Sequence, residues 1–136
     1  MREFKFKAWD KTNRKMLPVC DINWIEVNAP HSIDFITLWD DEINTGYTLD
    51  TCDNAFELMQ YTGLKDKNSK EGYHNDICRD KNRNLLQIEW IETDAMFALL
   101  FVKDGKFTGA SMPMRYLGEC EDIGNIYKNP DLLGGK

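Results

Sequence analysis

The first residues of the chain alternate between apolar and polar side chains. Every second residue from Phe4 to Ala8 is apolar, and the residues between them are lysines. A period of two residues predicts a β-strand with one buried face. Residues 10–15 contain no apolar side chain, and residues 16–19 are again mostly apolar. We therefore expect an N-terminal β-hairpin.

A second alternating segment covers residues 56–62. Its apolar side chains fall on both faces of the predicted strand. Gly63 follows and can adopt a positive φ at little steric cost, and residues 65–70 are polar and rich in turn-forming residues. We expect this strand to end near Thr62 and a loop to follow it.

The second half of the chain contains short apolar segments separated by turn-forming residues. Asp104 and Gly105 stand between two such segments and indicate a hairpin, because both residues tolerate positive φ. The strands predicted in this half are residues 73–79, 85–91, 95–102, 115–118 and 120–127. The pattern predicts a mostly β fold with little helix, arranged as a small β-barrel or as curled sheets.

Residues 21–54 are harder to interpret. Residues 22–27 and 33–39 are rich in β-branched and aromatic side chains, which predicts two strands with a break at residues 29–32. An acidic, polar stretch begins at Asp40, and we expect it to form a solvated loop.

The acidic stretch does not match the calcium-binding loop of an EF-hand. Counted from Asp40, the positions that require glycine and a bidentate glutamate hold Thr45 and Thr51. Counted from Asp41, the third ligand position holds Ile43. The sequence therefore predicts no metal ligands here, and it indicates no cofactor elsewhere.

Length and charge narrow the class of protein. A chain of 136 residues with 42% hydrophobic residues is sufficient for one domain with its own core. The 17 basic and 23 acidic residues give a net charge of −6, which disfavours general binding to nucleic acid. The longest apolar run, residues 95–102, is too short to span a membrane as a helix.

Three segments, residues 58–67, 71–77 and 123–133, resemble motifs of the YopX-type family of small bacteriophage and prophage proteins. The resemblance implies a mostly β architecture whose C-terminal part is an SH3-like barrel, and a location in the cytoplasm of the bacterial host. It implies no enzymatic activity. The chain departs from the family pattern at Asn75, where glycine is usual. Asn adopts the left-handed conformation most readily after glycine, so the turn can persist.

The resemblance also suggests how the chain is organised. We expect a single domain over residues 1–136, in which residues 1–57 form the N-terminal hairpin and a variable region. Residues 58–136 would form the barrel-like part. The oligomeric state stays open.

Four cysteines, Cys20, Cys52, Cys78 and Cys120, are widely separated in the sequence. Their spacing is not that of a zinc site, and we interpret them as reduced thiols. A catalytic cysteine paired with His31 or His74 is the alternative.

Asp76 is the most plausible catalytic carboxylate, because it follows a tight turn beside a strand. The carboxyl groups that could approach it are those of Glu71, Glu89, Asp94 and Asp122. A carboxylate-dependent hydrolase centred on Asp76 is therefore one hypothesis. The alternative, which we favour, is that Asp76 caps backbone donors. The chain contains neither a phosphate-binding loop nor a nucleophile elbow, and we expect no enzyme.

The leading hypothesis is a protein-interaction adaptor that binds a phage or host protein through exposed aromatic side chains. The aromatic residues considered are Trp9, Trp24, Trp39, Tyr47 and Tyr61. The competing interpretation is that at least half of them fill the core. The binding residues suggested are Trp9, Tyr61, Asp76 and Tyr127.

A second hypothesis is local binding of single-stranded nucleic acid. Basic residues cluster in the N-terminal hairpin and in the central loop: Lys5, Lys7, Lys11, Arg14, Lys15, Lys65, Lys67 and Lys70. Phe6 and Trp9 interleave with the first lysines, which is a combination that single-strand binders use. We favour the alternative that these are ordinary charged strand edges.

Overall fold

The computed structural model of the chain describes residues 3–25 and 32–133. Strands dominate the regular structure of these residues, and the helical segments are short 3₁₀ turns. The strands are β1 (Phe6–Asp10), β2 (Lys15–Trp24), β3 (Ile33–Asp40), β4 (Thr45–Asp50), β5 (Phe56–Lys65), β6 (Glu71–Tyr73), β7 (Asp76–Arg79), β8 (Leu85–Ile91), β9 (Met96–Lys103), β10 (Lys106–Pro113) and β11 (Glu121–Asn125). The 3₁₀ segments are Thr51–Asp53, Glu92–Asp94, Met114–Glu119 and Pro130–Leu133. The predicted mostly β class is confirmed.

The described residues separate into two compact units. The N-terminal unit contains Lys5–Met59, and the C-terminal unit contains residues 60–133 together with Glu3 and Phe4. Strand β5 begins in the N-terminal unit and ends in the C-terminal unit. None of the helical segments that the structure describes is long and apolar enough to cross a membrane.

The N-terminal unit is an antiparallel sheet in which β4, β3, β2, β1 and the first part of β5 follow one another. The predicted hairpin is confirmed, because Ala8 on β1 lies opposite Leu17 on β2. The fully buried centre of this unit is Ala8, Ile36 and Leu38, around which the apolar side chains of one sheet face pack.

Strand β4 lies in the stretch that the sequence predicts as a loop, so that prediction is wrong from Thr45 onward. Tyr47 on β4 lies opposite Leu38, and Leu49 lies opposite Ile36. Tyr47 and Leu49 alone are too few apolar residues to predict a strand from the sequence. The segment forms a strand because it pairs with β3, which places both side chains against the buried face of the sheet. Of the predicted break at residues 29–32, all but Ser32 lies outside the described residues.

Aspartate side chains stabilise four of the turns. The carboxylates of Asp10, Asp40, Asp66 and Asp80 each accept the amide N–H of the residue two positions later. A residue further along each turn has a positive φ, and these residues are Arg14, Asn44, Ser69 and Arg83. Hydrogen bonds from backbone to an Asp side chain favour such turns and offset the cost of the left-handed residue. The acidic stretch at Asp40 therefore serves as a turn.

The C-terminal unit contains a five-stranded antiparallel sheet in the order β10, β9, β8, β7, β11, and the end of β5 pairs with β6. Its core consists of Cys78, Leu86, Ile88, Leu99, Leu117 and Cys120. Strands β10 and β11 are the two edges of the sheet, which is open in the residues that the structure describes. The SH3-like barrel that the resemblance implied is not confirmed, and open sheets are found instead.

Three predictions about strands need correction. Strand β5 continues past Gly63, whose φ is 91°, because the glycine forms a bulge between Tyr61 and Lys65. The strand predicted at residues 73–79 is divided by a turn at His74 and Asn75. The strand predicted at residues 115–118 is part of a 3₁₀ segment.

A local cause explains the last of these errors, and Phe4 requires a further correction. The 3₁₀ segment has Met114 and Leu117 three residues apart, a spacing that matches its period and places Leu117 in the core. Phe4, expected on the buried face of the first strand, precedes β1 and is 74% exposed.

Candidate functional site

The four residues that the sequence singles out for binding are divided between the two units. Trp9 lies in the N-terminal unit, whereas Tyr61, Asp76 and Tyr127 lie in the C-terminal unit. Trp9 and Tyr61 are buried, with 7% and 3% of their surfaces exposed. Tyr127 is half-buried, and its amide donates to Oδ1 of Asn125 at 2.9 Å. A binding role for these residues stays a prediction.

Asp76 begins β7 and is buried. Its Oδ2 accepts the amide N–H of Tyr73 at 2.9 Å, and its Oδ1 accepts the side-chain amide of Asn125 at 3.0 Å. The first bond is a local backbone cap of the kind that the sequence analysis favours. Two clefts of the C-terminal unit, of about 550 and 170 Å³, are lined by other residues. Asp76 does not line either of them.

Asp122 on β11 brings a second carboxyl group to Asp76. Its side chain is 1% exposed, and no N–H or O–H group of the described residues donates to Oδ1 or Oδ2. The ammonium group of Lys70 lies 3.2 Å from Oδ1, but it donates to the Asp122 carbonyl oxygen at 3.3 Å. Burial and a hydrogen bond with the Asp76 carboxyl raise the pKa of Asp122 to about 8, and the charge of Lys70 opposes this shift.

Asp66 connects this pair to the loop after β5. Its Oδ2 accepts the amide N–H of Asp122 at 2.7 Å, and its Oδ1 accepts the amides of Asn68 and Lys70 at 2.8 and 2.9 Å. Burial acts to raise the pKa of Asp66, but these three N–H donors outweigh burial and hold the pKa below its usual value.

Of the three segments that resemble the YopX-type family, the second and third meet through Asp76 and Asn125, and the first is attached through Asp66 to Asp122, the residue before the third segment. Asp66 belongs to the first segment, Asp76 to the second and Asn125 to the third. Asn75 has a φ of 73°, so the left-handed turn persists without the usual glycine. Asn75 donates its amide to Ile88 and accepts the amide of Ile126. Within these segments the side chains of Asp76 and Asn125 are hydrogen-bonded to each other inside the fold.

Other carboxyl groups named as neighbours of Asp76 have different partners. Oε1 of Glu89 lies 3.0 Å from Nε2 of His74, and Oε2 accepts the side-chain amide of Gln87 at 2.6 Å. Glu71 accepts the hydroxyl of Tyr73 at 3.2 Å. Asp94 is exposed in a 3₁₀ turn.

The cysteines give little support to nucleophilic catalysis. Cys20 and Cys52 are exposed in the N-terminal unit, and Cys78 and Cys120 are buried in the C-terminal core. Burial raises the pKa of both core thiols, which disfavours the reactive thiolate. His31, one of the proposed partners, lies outside the described residues. No group of three metal-ligating side chains occurs within residues 3–25 and 32–133.

The sheet of the N-terminal unit has a second face, opposite its core, which we call the outer face. Strand register places eight residues on it: Asp21, Asn23, Phe35, Thr37, Trp39, Gly46, Thr48 and Asp50. Trp39 is 37% exposed and lies opposite Gly46. The indole Nε1 of Trp39 donates to Oδ1 of Asp41 at 2.6 Å, which fixes the ring. Phe35 and Thr37 are half-buried, and both aspartates are exposed.

The five aromatic residues proposed for an adaptor surface differ in how exposed they are. Trp9 and Tyr61 are buried, and Tyr47 is half-buried with its hydroxyl donating to Asp10 at 2.5 Å. Trp24 and Trp39 are exposed. Burial thus accounts for three of the five, and Trp39 is the exposed one that register places on the outer face.

Charge is unevenly distributed along the chain, and the segment that contains the outer face is acidic. The predictions from the sequence do not include this feature. No Lys or Arg occurs between Lys15 and Lys65, whereas this interval holds nine acidic residues: Asp21, Glu26, Asp34, Asp40, Asp41, Glu42, Asp50, Asp53 and Glu57. Asp40 is paired with Lys15 at 2.7 Å, and Glu57 is paired with Lys11 at 2.8 Å. A count of charge by segment could have found it.

Several of the basic side chains proposed for nucleic-acid binding have partners within the protein. Besides the ion pairs of Lys11 and Lys15, the guanidinium of Arg14 lies 5.8 Å from the centre of the Trp9 ring. Lys70 is held at the carbonyl of Asp122. Lys11, Lys15 and Arg14 of the N-terminal hairpin are therefore engaged within the protein, which disfavours their use as a phosphate-binding group.

Comparisons with known proteins agree with this architecture. The crystal structure of protein EF1440 from Enterococcus faecalis is similar over 98% of this chain and 99% of that chain, with 25% sequence identity and a TM-score of 0.63. No curated protein matches the chain. The family described as YopX protein matches residues 5–134, which is nearly the whole sequence. The chain therefore belongs to the YopX family.

Proposed function

We propose that this YopX-family protein is a non-enzymatic accessory protein of a phage or prophage, acting as an adaptor in the cytoplasm of the bacterial host. The observation that carries the proposal is Trp39, an exposed and oriented aromatic side chain on the outer face of the N-terminal unit. Aromatic residues of this kind are frequent anchors of protein interfaces. Because Asp41 already fixes the indole, little side-chain entropy is lost on binding.

The charge around Trp39 favours a partner with a basic surface. Asp21 and Asp50 flank the aromatic residues on the outer face, and Asp41 and Glu42 follow in the adjoining turn. All four are exposed. Carboxylates around an apolar anchor attract Lys and Arg side chains and repel phosphate groups. We therefore propose a basic phage or host protein as the partner.

The two alternatives have weaker support. A hydrolase centred on Asp76 would need substrate to reach a carboxylate that is 1% exposed and already accepts two N–H donors. Single-strand binding would need the basic residues of the N-terminal hairpin, of which Lys11 and Lys15 are paired with carboxylates. Neither arrangement favours the corresponding ligand.

The test is affinity capture with tagged full-length protein from host cells that carry the phage, followed by titration of each captured protein in purified form. Trp39→Ala should weaken binding of the true partner by about 30-fold or more, which corresponds to about 2 kcal/mol for a central tryptophan. Binding should also weaken as salt is raised, because exposed charges are screened.

Trp90→Ala is the matched control, because Trp90 is 41% exposed but lies in the C-terminal unit. It should bind the partner like the unmodified protein. Equal loss in both variants, or no captured protein that depends on Trp39, would refute the adaptor surface. Salt-sensitive binding to a single-stranded oligonucleotide with no protein partner would support the nucleic-acid alternative instead.

A further inference from the structure

The larger of the two clefts in the C-terminal unit lies where β8 begins and β9 ends. Its volume is about 550 Å³, which is within the range of small-molecule binding sites. Leu85 and Val102 lie opposite each other in its lining, and Ala110 and Leu133 add further apolar surface. Val102 is buried, so this part of the lining belongs to the packed interior. The adaptor surface belongs to the N-terminal unit and does not account for this cleft.

A bulge in β10 shapes the cleft. The register of β10 against β9 shifts between Phe107 and Ser111, where residues 108–110 lie opposite the single residue Phe101. Gly109 in this bulge has a φ of 93°, and no atom of the described residues lies within 4 Å of a Cβ added to it. Close packing therefore does not explain the bulge. Bulges are frequent at sheet edges and beside functional sites, where they redirect side chains and interrupt pairing.

Two cations line the cleft without a carboxylate partner. Arg83 lies in the turn before β8, Lys103 ends β9, and both side chains are exposed. Lys106 lies opposite Lys103 in the β9–β10 hairpin, and like charges in this position destabilise a strand pair. None of these three residues forms an ion pair within residues 3–25 and 32–133. Positive charge thus collects at this cleft in a chain whose net charge is −6.

The lining of the cleft also contains one carboxyl group from the described residues, that of Asp104. It lies in the turn between β9 and β10, and it opposes the binding of an anion without cancelling both cations. Lysines on an edge strand also deter aggregation, which is sufficient to explain Lys106 on β10. Arg83 precedes the central strand β8 and is not explained in this way.

We propose that this cleft binds a small organic anion that has an apolar body. Its carboxylate or phosphate group would pair with Arg83 and Lys103, and its ring or chain would cover Leu85 and Val102. Arginine suits both head groups because its planar guanidinium offers two parallel N–H donors. Inorganic phosphate lacks the apolar body, and a neutral aromatic compound lacks the charge. Each should therefore bind more weakly than a molecule that has both parts.

The test is a titration of the full-length, nitrogen-15-labelled protein at pH 7, followed by NMR. The probes are 2-naphthoate, 2-naphthyl phosphate, neutral 2-naphthol and inorganic phosphate. Either naphthyl anion should shift the amide signals of Val102, Lys103 and Thr108, which lie in or beside the lining. The anion that binds more tightly identifies the head group. Affinity should fall as salt is raised, because exposed charges are screened.

Substitutions at the cations test the assigned contacts. Arg83→Gln and Lys103→Gln should each weaken binding of the naphthyl anion by about tenfold. Asp104→Asn should tighten binding by about twofold or more, because it removes an opposing charge and Asn-Gly forms the same tight turn. Lys128→Gln is the matched control, since Lys128 is an exposed cation of the same unit that does not line the cleft. It should leave the affinity unchanged.

Several outcomes would overturn the proposal. Inorganic phosphate that binds as tightly as 2-naphthyl phosphate would show an adventitious ion only, and 2-naphthol that binds as tightly as 2-naphthoate would exclude a role for the cations. No shift of the cleft amides with either naphthyl anion at millimolar concentration would exclude the site. Shifts of these amides with protein concentration alone would assign the cleft to a contact between copies of the chain.

Discussion

The amide nitrogen of Asp122 lies 2.7 Å from Oδ2 of Asp66, in a buried hydrogen bond between residues 56 positions apart. It joins the loop after β5 to the edge strand β11. Oδ1 of Asp66 also organises that loop, because it accepts the amides of Asn68 and Lys70. One carboxylate therefore fixes a turn and attaches a distant strand.

Removal of this carboxylate should be costly. Asp66→Ala leaves three backbone amides without their acceptor, and we expect the free energy of unfolding to fall by about 2–4 kcal/mol. Urea unfolding at neutral pH measures the change. The control is Asp80→Ala, which removes an acceptor for the amides of Asn82 and Asn84 in an exposed turn. Water can replace that acceptor, so its cost should be about 1 kcal/mol or less. Equal costs would contradict the role assigned to Asp66.

The same residue should make the protein sensitive to acid. The folded state lowers the pKa of Asp66, because its three N–H donors outweigh burial. The carboxylate therefore adds stability above its unfolded pKa of about 4, and this contribution is lost as pH falls through the lower folded value. The difference in unfolding free energy between the unmodified protein and Asp66→Asn should shrink below about pH 4. A difference that stays constant from pH 7 to pH 2 would exclude this linkage.

A methyl group added at Gly72 should overpack the C-terminal core. Its Cβ would lie 2.6 Å from Cδ2 of Leu117 and 3.3 Å from Cδ1 of Ile88, and both side chains are fully buried. We expect Gly72→Ala to lower the free energy of unfolding by about 1–3 kcal/mol. Gly118→Ala is the control, since nothing lies within 4 Å of its added Cβ. Thermal unfolding of both variants distinguishes overpacking from a general intolerance to alanine.

The left-handed turn at Asn75 should accept glycine better than alanine. Its φ of 73° strains a residue with a Cβ, and Asn tolerates this region more readily than Ala does. We expect Asn75→Gly to change stability by less than about 0.5 kcal/mol and Asn75→Ala to cost about 1 kcal/mol. Chemical denaturation of the two variants is the measurement. A tolerated alanine with a costly glycine would show that the Asn side chain itself is required.

Part of the candidate site could be predicted and part could not. The capping role of Asp76 is predictable because a short polar residue beside a strand start usually caps backbone donors, and Asp76 does so for Tyr73. The sequence offers four carboxyl groups that could approach Asp76, and no local pattern distinguishes Asp122 from the other three. The choice depends on the register of β11 against β7, in which Asp122 lies opposite Cys78.

The adaptor surface shows the same limit. Alternation predicts the strand that contains Trp39, but local pattern cannot show which face of a strand meets the core when both faces carry large apolar residues. Pairing with β4, a strand that the sequence did not predict, places Trp39 opposite Gly46 and leaves it exposed.

By itself the sequence determined the mostly β class, the hairpin at Asp104 and Gly105, and the family, because these depend on local alternation, turn chemistry and short motifs. Tertiary structure alone decided that the sheets are open, that β5 continues through Gly63, and that Asp122 meets Asp76. These outcomes depend on strand register and on burial between residues far apart in the chain. Such contacts are set by the whole packed structure, and a local pattern does not record them.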